Sequence, residues 1–180
     1  MVNGLKGRGG SDMSALEILE VHPFEGCGKI KLGMTIEEVD AIAHRPPGKL
    51  QRLPDSYYHT EAYEEWYDDM RYRVDFVDGR VAEFMVNGRD EVAPMLHGLA
   101  VLQEKAVDVI AKLQQHAPCI YDMPDIDLSY FYYFEDIGIT LWREGVYHPK
   151  MMEDAEYRQN FETMCPENQA EELSYQYFQT

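Results

Sequence analysis

Apolar and polar positions change period several times along this chain, and each change marks an element. In "KIKLGMTIEEVDAIAHRPPG" (29–48), Ile30 and Leu32 alternate with Lys29 and Lys31 as in a half-buried strand, and Gly33 turns the chain. Thr35 then stands as a helix N-cap with Glu38 three places on, a capping box. Glu37 and Glu38 also lie where the helix dipole favours acids. Ile36, Val39, Ile42 and Ala43 form one apolar stripe at helical spacing, and Pro46 and Pro47 stop the helix. Period two returns in "MRYRVDFV" and "RVAEFMV", joined by Asp78-Gly79, the dipeptide that favours a type I′ turn. Tyr72, Val74 and Phe76 share one face, with Arg71, Arg73 and Asp75 on the other. Val81, Glu83 and Met85 alternate with Ala82, Phe84 and Val86.

The second half uses the same grammar more loosely. "GLAVLQEKAVDVIAKLQQHAP" predicts a helix whose buried side is Leu102, Ala106, Val109, Ile110 and Leu113, ending before Pro118. "SYFYYF" and "GITLWR" read as strands around Glu135-Asp136. Val39-Asp40 recurs as Val107-Asp108, and Ile42 as Ile110, at a constant offset of 68. Upstream, "ALEILEVHPFEG" fits either a strand or one or two helical turns. Downstream, Phe161 and Met164 suit a helical turn before Pro166, and "EELSYQYF" a final edge strand. The expected fold class is α+β. Two loosely repeated helix-plus-antiparallel-hairpin units, about 29–88 and 97–145, pack as one domain over 15–180, with an acidic segment at 150–180 and a flexible glycine-rich leader at 1–14.

Charge changes the picture more than any motif. The chain carries 33 acids against 16 bases, a net −17, spread along its length rather than held in one tail. Such a surface repels nucleic acid and anionic membrane and draws cationic partners from a distance. Cys27, Cys119 and Cys165 make an odd set without a CxxC pair, which argues against a disulfide framework or a structural zinc site and fits a reducing cytoplasm. Cys119, between Pro118 and an apolar run, is expected to be buried and inert.

Catalytic signatures are sparse. Gly26-x-Gly28 lacks the third glycine and the lysine of a phosphate loop, and no G-x-S-x-G elbow occurs. His22, His44, His59, His97, His116 and His148 are scattered, with no i, i+4 pair. "DMPDID", with Asp122, Asp125 and Asp127, has hard-cation oxygens but neither EF-hand spacing nor the distal acid, so a solvated turn is the stronger reading. No cofactor and no metal is expected. "SYYHTEAYEEWYDD" (56–69) differs from a plain surface: five acids, four tyrosines, one tryptophan and no lysine or arginine. Aromatic anchors among carboxylates suit a grip on a basic, amphipathic protein. The candidate partner-binding residues are Tyr57, Tyr58, Glu61, Glu64, Glu65, Trp66, Tyr67, Asp68 and Asp69, with Asp122, Asp125 and Asp127.

"IKLGMTIEEVDAI" followed by "WYDDMRYRVDFVDGRVAEFMV" resembles the small βαββ-type units of outer-membrane assembly lipoproteins of the SmpA/OmlA kind, of beta-lactamase-inhibitor-type proteins and of bacterial immunity proteins. The match covers about 29–88, and the looser second copy extends it to about 145. The lipoproteins carry a lipidated cysteine after an apolar run; Cys27 follows no such run, so that anchor is not expected. The likeness to immunity proteins implies a scaffold that blocks a toxin's active site. The expected function is therefore that of a cytoplasmic acidic inhibitor of a basic toxin domain, a nuclease among the candidates. Two alternatives stand beside it: a small enzyme or ligand-binding domain with a pocket between the repeats, using an Asp or Glu with a histidine such as His59 or His97, and a structural adaptor.

Overall fold

The computed structural model describes residues 16–45, 50–54, 61–68, 71–86 and 91–178. They fold as α+β, with four α-helices set against antiparallel sheets. The first half runs β1 (Glu17–His22), β2 (Gly26–Cys27), β3 (Ile30–Lys31), α1 (Ile36–Asp40), β4 (Gln51–Arg52), β5 (Ala62–Tyr67), β6 (Tyr72–Val77) and β7 (Arg80–Val86). The second runs β8 (Val92–Leu96), β9 (Leu99–Ala100), α2 (Ala106–Leu113), β10 (Ile120–Tyr121), β11 (Phe131–Phe134) and β12 (Ile139–Trp142), followed by α3 (Ala155–Thr163) and α4 (Pro166–Ser174).

Each half places a helix beside its own meander, β4-β5-β6-β7 or β10-β11-β12. A third sheet, β3-β2-β1-β8-β9, joins the halves. Its middle is parallel: Glu17 to Glu20 pair with Val92 to Met95. Two apolar clusters follow from this plan. One gathers Val39 with Tyr67, Tyr72, Val74 and Phe76; the other gathers Val109 and Leu113 with Tyr132, Phe134 and Phe178. Val21 of β1 packs against both. "ALEILEVHPFEG" thus resolves as a strand, because only an extended β1 can reach across to β8.

The capping box forms as expected. Glu38 N–H donates to Thr35 Oγ1 at 3.3 Å, and Thr35 N–H donates to Glu38 Oε2 at 2.8 Å. The helix itself is shorter than its apolar stripe and ends at Asp40. Asp40 is held from outside by Arg45 at 2.7 Å and the Tyr67 hydroxyl at 3.0 Å, and Ile42 is 40% exposed. The second helix likewise begins late, at Ala106, although all five residues of its expected buried side are buried. The two N-caps, Thr35 and Lys105, set Val39 opposite Val109 rather than Val107 in the two helices, so the offset of 68 is not the structural one.

Asp78 and Gly79 both adopt positive φ, 50° and 73°, as a type I′ turn requires. Past the turn, a bulge opposite Asp75 and Phe76 inserts a residue into β7 and reverses its phase. Val81 enters the core, but then Phe84 and Val86 pack inward rather than Glu83 and Met85. The end of the chain also differs from expectation. "EELSYQYF" contributes to α4 instead of an edge strand, and then Tyr177 makes one bridge to Lys105 while Phe178 enters the second core.

Candidate functional site

Strand alternation divides the acidic, aromatic stretch between two faces. Glu64 and Trp66 lie opposite Asp75 and Arg73, whereas Glu65 and Tyr67 lie opposite Val74 and Tyr72 on the core side. Tyr67 has no exposed surface. Its hydroxyl donates to Asp40, and burial together with that bond holds the phenol protonated well above its ordinary range. Glu64 stands 3.7 Å from Arg73, which forks onto the fully buried Asp75 at 3.1 and 3.3 Å. Glu65 accepts from the Trp66 N–H at 2.9 Å. Glu61 is exposed and accepts from the Tyr63 hydroxyl at 2.5 Å. Asp68, at φ 47°, exchanges two 2.7 Å hydrogen bonds with the His44 backbone and so ties the end of α1 to the β5–β6 turn. Glu61, Glu64, Glu65 and Trp66 keep partial or full exposure, whereas Tyr67 and Asp68 position the strand. Tyr57, Tyr58, His59 and Asp69 lie outside the described residues.

"DMPDID" is on the other half, before β11, and does not join β5. It is a fastened turn. Asp122 accepts from the backbone N–H groups of Tyr130 and Phe131 at 3.0 and 3.1 Å. Asp125 and Asp127 grip the Lys150 ammonium at 2.6 and 2.8 Å, and the His148 ring approaches Asp127 at 3.9 Å. The Lys150 partner holds Asp125 below the usual carboxylate range, and the two aspartates push Lys150 up. An ammonium therefore occupies the place a cation would take. Among the described residues no group of three or more His, Cys, Asp and Glu is placed to hold a metal.

Among the described residues the cysteines and the His97–His116 pair lie at separate places, while His22 and Glu83 both line the cavity described below. Cys27 is buried, and burial pushes its thiol up to about 12. Cys119 is only partly buried, contrary to its expected full burial: it packs against the second apolar cluster just before the terminal strand β10, and burial still raises its thiol. Cys165 is exposed. His97 and His116 stack with ring centroids 4.1 Å apart, on the surface.

A feature that periodicity did not announce lies between the halves. An open cavity of about 460 Å³ is walled by residues 82–86 of β7 and by Gly138 with residues 139–142 of β12, with Val21, Leu96, Val101 and Phe178 beneath. Phe24 stands at its mouth, 63% exposed and at φ 59°. Its ring covers Gly138, where an added Cβ would come within 2.6 Å of it. The ligand-binding alternative expects a pocket between the repeats; which residues wall it depends on how the sheets are placed, which local periodicity does not carry.

The molecule thus belongs with α+β proteins that present an acidic surface and an apolar cleft. Comparison with known proteins finds no matching family model, no similar curated protein and no similar solved structure.

Proposed function

We propose that this protein is an acidic binding and inhibitory protein that captures a basic protein partner and occludes its working surface, as a bacterial immunity protein does with a toxin domain; a nuclease is the natural candidate. The distribution of charge carries this reading. Arg45, Arg71, Arg73, Lys112 and Lys150 are already bound to carboxylates within the chain, and Arg143 is buried. Among the described residues Lys29, Arg52, Arg80, Lys105, Lys112 and Arg158 stay exposed, but the exposed acids outnumber them severalfold, so the net −17 is expressed at the surface. Along α3 and α4 the exposed side chains include Glu156, Glu162, Glu167 and Glu171 against Arg158. A field of this sign accelerates encounter with a cation, and half-exposed aromatics such as Trp66 supply area that slows release.

The test is capture of binding partners on the full chain at low and high salt, followed by inhibition assays on any basic enzyme recovered. Binding is expected to fall steeply with salt. The double variant Glu61→Lys, Trp66→Ala should weaken it ~tenfold or more, because it reverses a charge and removes an anchor without touching Glu64 or Asp68. Salt-independent binding, or a partner of acidic character, would remove the reading.

A further inference from the structure

Resting on that reading, the structure assigns the cleft between β7 and β12 to an extended segment of the partner, apolar on one face and basic on the other, which enters as an added strand. Successive side chains of a strand point to opposite faces, so a run of consecutive residues can line one space only along the strand's edge. Residues 82–86 and 138–142 are two such runs, facing one cavity. β7 and β12 are also the terminal strands of their sheets among the described residues.

The register of β12 shows which groups are aimed there. Arg143 N–H donates to Tyr130 C=O at 3.0 Å, which makes 141↔132 and 139↔134 the hydrogen-bonded pairs of that ladder. Thr140 and Trp142 therefore direct their backbone N–H and C=O away from β11, toward the cleft. Across the cavity, the loop before α1 bonds β7 at Val81, and the wall begins at the next residue. An extended segment seated between the two edges would pair on both sides and join the two meanders into one sheet.

The occupant's chemistry follows from the lining and the rim. The floor is apolar, so alternate side chains of the segment should be apolar. Glu83 and His22 are in the lining, Glu25 follows Phe24, and Glu135 and Asp136 are exposed just before Gly138; among the described residues these acids outnumber the bases flanking the lining, Lys31 beside Leu32 and Arg80, whose guanidinium donates to the Gly33 carbonyl. The remaining side chains of the segment should therefore be basic. Phe24 points the same way. A bulky aromatic held in the left-handed region and left largely exposed is an arrangement that folding alone does not favour, and it stands where an entering strand would pass.

The probe is an acetylated, amidated peptide alternating valine and lysine, titrated against the full chain with hydrogen exchange as the readout. Binding should slow exchange at Thr140, Trp142 and within 82–86. N-methylating either alternate set of peptide nitrogens should weaken binding about three- to tenfold per lost bond while leaving the peptide's charge unchanged. Thr140→Pro removes one N–H aimed at the cleft and spares the ladder to β11, so it should weaken binding by a similar factor. Equal affinity for the N-methylated and plain peptides, or unchanged exchange at β7 and β12, overturns the strand mode. If a basic partner still binds in a salt-dependent way with protection confined to β5, strand entry falls and the acidic-inhibitor reading stands. If a glutamate-for-lysine peptide enters equally well, the basic preference is overturned.

Discussion

At the scale of single residues, several positions that look chemical prove to be conformational. Gly26 sits at φ 149° in the narrow β2–β3 hairpin, where a Cβ would meet the Ile30 carbonyl oxygen at 2.2 Å and the Lys31 Cα at 2.8 Å. Both obstacles are backbone and cannot swing aside. Gly26→Ala should therefore cost about 3 kcal/mol, read as a lowered denaturant midpoint at unchanged slope. The cysteines divide by the same local logic. The thiolate is the reactive species, and Cys27, pushed up to about 12 by burial, holds almost none near neutrality. Alkylation of the native protein should modify Cys165 first and reach Cys27 only when denaturant opens the core, as peptide mass mapping over time would show. Similar modification rates for the two native thiols would contradict the packing of Leu19, Cys27 and Ile30.

At the scale of elements, the closing segment sends one fully buried side chain into the core. Neither α3 nor α4 has a fully buried residue, so their apolar faces hold them only weakly. What anchors the chain beyond them is Phe178, 1% exposed and edge-on to Tyr132 at 5.6 Å, together with the Ala106 N–H donating to Gln176 C=O at 2.8 Å. Phe178→Ala should cost about 3–5 kcal/mol and raise proteolysis within α3 and α4 before the rest of the chain is cut. The "DMPDID" turn carries a pH signature instead. Asp125 is held low, so its contribution exists above the ordinary carboxyl value of about 3.9 and is lost as pH falls through the depressed one. Lys150 is held high, so its contribution is complete below about 10.4 and is lost as pH rises through the raised value. The Asp127 amide, which donates to the Asp125 carboxylate at 3.0 Å, should therefore shift as pH falls through the depressed Asp125 value. Lys150→Met should bring the acid transition up toward the ordinary carboxyl range.

Across the whole molecule, what was legible in the sequence was local. Thr35 and Glu38 announce their cap, Asp78-Gly79 its hairpin, and Leu102 to Leu113 their buried stripe, because each depends on neighbours a few residues away. The β1–β8 pairing was hidden, since it joins the start of the first half to the start of the second, and Pro94 argues locally against a strand there. The division of Glu64 from Glu65 follows from β5 being a strand, yet composition alone presents them as one acidic patch. A pocket between the repeats was conceivable from their repetition, but its walls could not be located, because they meet only once two meanders have been placed by a third sheet.

That third sheet also has to hold together two halves that share a single sign of charge. At net −17 the exposed carboxylates repel one another across the molecule, an interaction that ions screen within about 8 Å at physiological strength. Added salt should therefore raise the thermal midpoint of the free protein while it weakens capture of a basic partner. The opposite signs are informative because one cause, the outward excess of acid, underlies both. Calorimetry and binding isotherms across a single salt series would check them together. Should salt leave the free protein's midpoint unchanged or lower it, the carboxylates are already neutralised within the fold, and they are then unavailable to draw in a partner.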